Sequence, residues 1–320
     1  MIECRNLTHV YPDTGRGRTR GQPGHLALNQ LNLRLEPGDC FGFIGPNGAG
    51  KTTTIRILAT LLEPTSGEAL VGGHSVLEEP EEVRRILGYM PDFFGVYDGM
   101  KVWEYLDFFA AAYRIGPQRR KGLIRDVLEL TDLGPQREAF IESLSTGMKQ
   151  RLCLAKTLLH DPAVLVLDEP ASGLDPRARI ELKELLRELV RMGKTLFVSS
   201  HILPELADFC NKVGILDQGR LVAAGTVEEI LATVGQGHTR ALRLRVLRNP
   251  EAALRLVEEF PGTERVRSED GRILFDFYGG LEETARLAQA VVEQNLGLVE
   301  LAEEATDLED VFMRVTGAAS

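Results

Sequence analysis

Cysteine is scarce and dispersed. The four residues, Cys4, Cys40, Cys153 and Cys210, form no C-x-x-C pair, which argues against a disulfide scaffold or zinc site and for reduced thiols. Long hydrophobic runs are missing too. No stretch approaches the roughly 20 apolar residues that cross a bilayer as a helix, so any membrane process is served from the water side. The start, Met1-Ile2-Glu3-Cys4-Arg5, lacks a basic segment followed by an apolar one, and no signal peptide is expected. A basic surplus is also absent. The formal net charge is −10, whereas general nucleic-acid binders usually carry the opposite sign; an acidic total still leaves room for a local basic stripe.

What is present is an ordinary globular composition, with 43% hydrophobic and 26% charged residues over 320 positions. That length suits two domains, or one large domain with an appendage. Up to about residue 225, short apolar runs alternate with longer amphipathic stretches. Cys40-Phe41-Gly42-Phe43-Ile44, Ala163-Val164-Leu165-Val166-Leu167 and Thr195-Leu196-Phe197-Val198-Ser199 read as strands buried on both faces of a mainly parallel sheet. Each runs into polar residues, at the edge where open α/β sheets place their ligands. From Val102 to about Leu144 the pattern is helical (Trp103 to Tyr113, then Lys121 to Leu130), an insertion in the α/β core.

After Gly225 the pattern changes. Ala241–Leu247 and Arg272–Phe277 alternate like half-exposed strands, with helices at about Pro250–Phe260 and Leu281–Gln294 and short strands at Glu264–Arg267 and Leu298–Leu301. In order this is β-α-β-β-α-β, a ferredoxin-like α+β domain, followed by a last helix at Asp307–Val315. The predicted domains are therefore 1–225 and 226–320. Near the start, Gly15–Gly24 holds three arginines among glycines; it reads as a solvated hairpin tip or a lipid head-group contact.

One segment carries phosphate chemistry. Gly45-Pro46-Asn47-Gly48-Ala49-Gly50-Lys51-Thr52 follows a strand and precedes helix formers, Thr53 to Leu62, the context a P-loop requires. Its glycines let successive N–H groups face phosphate oxygens, and the helix start near Lys51 adds its dipole. The expected ATP contacts are Gly45, Pro46, Asn47, Gly48, Ala49, Gly50, Lys51, Thr52 and Thr53. Lys51 reaches the β- and γ-phosphates, and the Thr52 hydroxyl ligates Mg²⁺. Leu167-Asp168-Glu169 closes a buried strand; two acids there can cap a helix, but beside a P-loop Asp168 is assigned to Mg²⁺ and Glu169 to the base that polarises the attacking water.

With those residues placed, the chain from Met1 to about Gly225 resembles the ATP-binding subunits of ABC transporters. Leu144-Ser145-Thr146-Gly147-Met148-Lys149-Gln150-Arg151 is similar to the ABC signature, Ser172-Gly173-Leu174-Asp175 to the D-loop, His201 to the switch histidine, and Tyr11 to the aromatic that stacks on adenine. The resemblance implies a P-loop NTPase core with a helical subdomain over about 93–150, ATP and Mg²⁺ as ligands, and ATP hydrolysis. Catalysis would fall to Glu169, His201 and Lys51. It also implies a head-to-tail dimer with a second copy, whose Ser145, Thr146, Gly147 and Asp175 complete each ATP site in trans.

The pattern departs from the family in two places. Thr146 and Met148 stand where Gly and Gln are usual. Asp92, in Gly88-Tyr89-Met90-Pro91-Asp92, replaces the Q-loop glutamine; an ionised acid there can ligate Mg²⁺, directly or through water, but cannot donate a hydrogen bond. Asp92-Phe93-Phe94-Gly95-Val96-Tyr97-Asp98 and Leu308-Glu309-Asp310-Val311-Phe312 resemble type-two ABC exporters. A peripheral place for this chain at the cytoplasmic face of the cell membrane is implied, beside a separate transmembrane permease subunit that docks on Phe93, Phe94, Val96 and Tyr97 unless these pack the helical insertion. The 226–320 domain is regulatory, helps the dimer, or is a packing appendage. The rival reading is a soluble ABC ATPase acting on nucleic acid or the ribosome. It is disfavoured by a single P-loop and the lack of heptads or a cysteine cluster, and no nucleic-acid partner is expected.

Overall fold

Strands β3 (Cys40–Ile44), β7 (Val164–Leu167) and β8 (Thr195–Ser200) are buried along their whole length, as their unbroken apolar sequences require. The computed structural model describes residues 1–12, 24–93, 95, 97, 99–202, 206–227, 229–230, 240–269 and 271–303. The arginine-rich stretch after Tyr11, Phe94, Val96, Asp98 and the expected last helix with Leu308–Phe312 lie outside the described residues. The chain divides into two compact units, Met1–Val227 and Glu228–Ser320.

In the first unit, β3, β7 and β8 join β6 (Leu87–Met90), β9 (Lys212–Asp217) and β10 (Arg220–Thr226) in a sheet of order β10-β9-β3-β8-β7-β6. All neighbours from β9 to β6 run parallel, and β10 returns antiparallel as a hairpin. The carboxyl ends of β3, β7 and β8 therefore lie side by side.

A second sheet went unread in the sequence. Strands β1 (Ile2–Tyr11), β2 (His25–Leu35), β4 (Ser66–Val71) and β5 (His74–Ser75) form an antiparallel sheet of order β2-β1-β4-β5. Register shifts between Cys4 and Leu7, Leu7 and His9, and His9 and Val10 break the alternation of β1, so a period-2 signal fades there. Helix α1 (Lys51–Leu58) contributes Ile55, Ile57 and Leu58 to a core shared by both sheets, with Leu7, Leu28 and Leu31 on one side and Phe41, Phe43, Val166 and Phe197 on the other. Phe197 lies 5.7 Å from Phe41 and 5.0 Å from Phe43, centroid to centroid.

The helical stretch follows the expected order. Helices α2 (Pro80–Ile86), α3 (Val102–Ala112), α4 (Pro117–Leu130), α5 (Thr146–Leu158) and α6 (Pro176–Arg191) punctuate the first unit. Among the described residues, no helix is long and apolar enough to cross a membrane.

At the amino edge of β3 a turn is fastened by one carboxylate. Asp39 accepts hydrogen bonds from the Glu36 amide (2.8 Å), Asn211 Nδ2 (3.1 Å) and Lys212 Nζ (2.9 Å). Burial pushes its pKa up, but these three donors outweigh burial and hold it below the usual carboxylate value. Asp39→Ala is expected to cost about 2–4 kcal/mol near neutral pH, because it strands the donors and their charge. A depressed folded pKa stabilises above the unfolded value, so the wild-type advantage should shrink as pH falls below about 4. Urea titrations of both proteins across that range check the magnitude and the sign. Beside this turn, Cys40 and Cys210 bring their Sγ atoms within 3.6 Å; all four cysteines are buried and none is in a disulfide.

The second unit is the expected β-α-β-β-α-β. Strands β11 (Arg240–Val246), β12 (Thr263–Glu269), β13 (Arg272–Phe277) and β14 (Leu298–Glu303) form an antiparallel sheet of order β12-β13-β11-β14. Helices α7 (Pro250–Glu259) and α8 (Leu281–Glu293) supply Val257, Leu287 and Val291 to a core with Leu242, Leu244, Phe275 and Phe277. Amphipathic alternation on one sheet face is what made this unit legible.

Candidate functional site

The loop between β3 and α1 is shaped by what surrounds it. A Cβ on Gly45 would come within 2.4 Å of the Leu216 carbonyl oxygen, and one on Gly50 within 2.5 Å of the Ala27 carbonyl oxygen. Gly50 also has φ +110 and caps α1 without a side-chain bond, leaving the helix amides free to face an anion. Behind the loop, the Gly219 amide donates to the Ala49 carbonyl (2.9 Å), and the Gly219 carbonyl accepts from Asn29 (2.9 Å). Lys51 is buried; its Nζ donates to the carbonyls of Gly45 (2.6 Å) and Pro46 (3.3 Å) and lies 3.6 Å from Glu169 Oε1.

The two acids follow β7, and β8 supplies their neighbours. Asp168 is 1% exposed, and its Oδ1 accepts from Ser199 Oγ at 2.6 Å. Burial raises its pKa, with the Ser199 hydrogen bond and the nearby Thr52 hydroxyl partly offsetting and the charges of Asp92 and Glu169 adding to the rise. Its Oδ2 is buried with no hydrogen-bond partner. Glu169 holds φ +48, uncommon for a residue with a Cβ. Its amide donates to Ser199 Oγ at 2.9 Å, and its Oε2 lies 2.8 Å from His201 Nδ1.

Tyr11, Pro46, Asn47, Gly48, Gly50, Lys51, Thr52, Thr53, Asp92, Glu169 and His201 line one cleft of about 450 Å³. Asp168 does not itself line it; it is buried one residue before Glu169, which does. The cleft also takes in His25, Ala27 and Ser172, of which sequence reasoning had weighed only Ser172, as part of the D-loop. Tyr11 directs its hydroxyl to Thr53 Oγ1 at 3.3 Å and receives the His9 ring edge-on at 4.5 Å. The signature residues stand elsewhere. Ser145 caps α5 by accepting from the Met148 amide, Thr146 and Gly147 form its first turn, and Asp175 caps α6 through the amides of Arg177 and Ala178. None of these four lines the cleft of the same chain.

A Mg²⁺ ion fits this donor set. An orphaned carboxylate oxygen on a buried acid, with a threonine hydroxyl beside it and a second acid near, offers hard oxygen ligands and uncompensated charge.

The comparisons with known proteins agree with this geometry. The family model described as ABC transporter matches residues 28–172. The Nod factor export ATP-binding protein I of Cupriavidus metallidurans is 32% identical over 320 residues, covering 99% of this chain and 97% of that protein. The chain belongs to the ABC transporter family. Another ABC relative, the daunorubicin resistance ATP-binding protein DrrA3 of Streptomyces coeruleorubidus, is 33% identical over 91% of both chains. Among solved structures, the ATP-binding subunit of an ABC transporter superposes with TM-score 0.63 at 29% identity, covering 73% of this chain and 93% of that one. A dimeric bacterial ABC transporter cassette, MJ0796, gives TM-score 0.62 at 25% identity, over 71% of this chain and 99% of that one. The first unit of this ABC protein is thus an ABC ATPase cassette, and the P-loop NTPase reading of its fold holds.

Proposed function

We propose that the chain binds and hydrolyses ATP as the cytoplasmic subunit of an ABC exporter, and that two copies close on ATP to drive a separate transmembrane subunit. One observation carries the chemistry: the glycine-rich loop with Lys51 and a glutamate–histidine pair share a single cleft, and the residue before that glutamate is a buried carboxylate with an unpartnered oxygen. Export is supported by relatives whose names specify Nod factor export and daunorubicin resistance. The soluble alternative, acting on nucleic acid or the ribosome, has no comparable support.

Lys51 and the α1 amides bind the β- and γ-phosphates, while Tyr11 stacks on adenine. Thr52 and Asp168 would hold Mg²⁺, with Asp92 placed to ligate it directly or through water. When bound, the ion would neutralise phosphate charge. Glu169 accepts that water's proton as the new P–O bond forms and the bond to ADP breaks. His201 orients the water and hydrogen-bonds the γ-phosphate. Because Ser145, Thr146, Gly147 and Asp175 lie outside the chain's own cleft, a second copy arranged head to tail supplies them.

Residues 1–225 form the nucleotide-binding domain with a helical subdomain at about 93–150, and 226–320 an accessory domain. The permease subunit docks at Phe93 and Tyr97, which are 64% and 52% exposed, although Tyr97 also rests 6.2 Å from the rings of Tyr105 and Phe108 on α3. The test is direct. The purified chain should hydrolyse ATP in preference to GTP and should co-purify with an integral membrane protein from its own host. GTP preference, or recovery with ribosomes instead of membranes, would overturn the reading.

A further inference from the structure

Strand β8 ends in Val198-Ser199-Ser200-His201, and only its parallel register with β7, Leu167 against Val198, decides which serine faces the acids. Ser199 is that residue, and it is fully buried. Its hydroxyl accepts the Glu169 amide proton, so its own single proton is committed to Asp168 Oδ1 at 2.6 Å. Ser200 is occupied elsewhere, accepting from the Ile202 amide. One oxygen atom thus bridges the side chain of one acid and the backbone of the next.

Two consequences follow from that bridge. With Oδ1 held by Ser199, the orphaned Oδ2 is the oxygen Asp168 presents to a cation. With its amide held, Glu169 is kept at φ +48, a conformation in which its carboxylate reaches both Lys51 and His201. We propose that Ser199 is a positioning residue for ATP hydrolysis, setting the orientation of the metal-holding Asp168 and the water-activating Glu169 through a single hydroxyl. This rests on the roles assigned to those acids above.

The test compares Ser199→Ala with Ser199→Thr, which restores a hydroxyl on a strand that tolerates a β-branched side chain. Outer-shell partners of metal ligands typically contribute about 10–100-fold. Ser199→Ala should lower kcat about tenfold or more. It should also reduce, about fivefold or more, the gain in affinity that Mn²⁺ gives to a non-hydrolysable ATP analogue. Affinity for the analogue in chelator should stay within about twofold, since Lys51 and the loop amides are untouched, and Ser199→Thr should recover most of both losses. Should Ser199→Ala fail to fold, Ser199→Cys, close in size and a weak donor, carries the same expectations. If a folded Ser199→Ala or Ser199→Cys protein keeps wild-type kcat and the full Mn²⁺ gain, or if threonine restores neither, the proposal is wrong. The Mn²⁺ gain is read without turnover. Normal hydrolysis by Glu169→Gln would therefore remove the base assignment and leave this measurement standing, so the two failures are separable.

Discussion

Glu169→Gln should bind ATP normally and hydrolyse it about 10²–10⁴-fold more slowly, the usual contribution of a positioned general base. The amide is isosteric, and its backbone bond to Ser199 does not depend on the side chain. What it loses is the carboxylate basicity that takes the water's proton. It also loses a negative charge 3.6 Å from Lys51, a charge that competes with the γ-phosphate for the same ammonium. Nucleotide affinity should therefore hold or rise, and the ATP-bound dimer should accumulate. Single-turnover hydrolysis and the mass of the ATP-bound species check both halves. Near-normal turnover would sink the assignment of Glu169 as base.

The contact with His201 adds a constraint. A neutral imidazole that donates Nδ1–H to Glu169 keeps only an acceptor at Nε2, which cannot hydrogen-bond a phosphate oxygen. Contact with the γ-phosphate requires that His201 let go of Glu169 or carry a second proton. Where it lets go, freeing the base and engaging the phosphate are coupled acts of one side chain.

Lys51→Ala should weaken ATP binding about a hundredfold, as expected when a desolvated charge partner is truncated. The ammonium is 6% exposed and touches two loop carbonyls, so the loss removes both the phosphate contact and a brace of the loop itself. Thermal melts read this well. ATP at a hundredfold excess over Kd stabilises a protein by about 2.7 kcal/mol, and a hundredfold weaker Kd at the same concentration leaves about 0.4 kcal/mol. The ATP-dependent rise in Tm, read against the variant's own Tm without nucleotide, should nearly vanish. An undiminished rise would place the phosphate cradle somewhere other than Gly45–Thr52.

How much of this was legible in the sequence depended on distance along the chain. The P-loop could be read because glycine spacing and the strand-to-helix switch are local. So could Asp168 and Glu169, which directly follow an apolar run. The β1–β2–β4–β5 sheet escaped because its bulges spoil the alternation that would reveal it. Ser199 escaped for another reason: nothing in Ser199-Ser200 says which hydroxyl meets the acids, and that knowledge comes from the pairing of β7 with β8. His25 and Ala27 reach the cleft through β2, a strand that sequence reasoning did not place beside the loop.

The loop's own setting has a mechanical meaning. Its flanking glycines are hemmed in by the carbonyls of Leu216 on β9 and Ala27 on β2, and the Gly219 turn ties its back to Asn29. Backbone oxygens cannot rotate aside as side chains do, so the cradle is clamped by two sheets at once. Force is transmitted only against a part that does not yield. On the proposed reading, the loop is the anvil, and any travel during turnover falls to parts of the chain outside it.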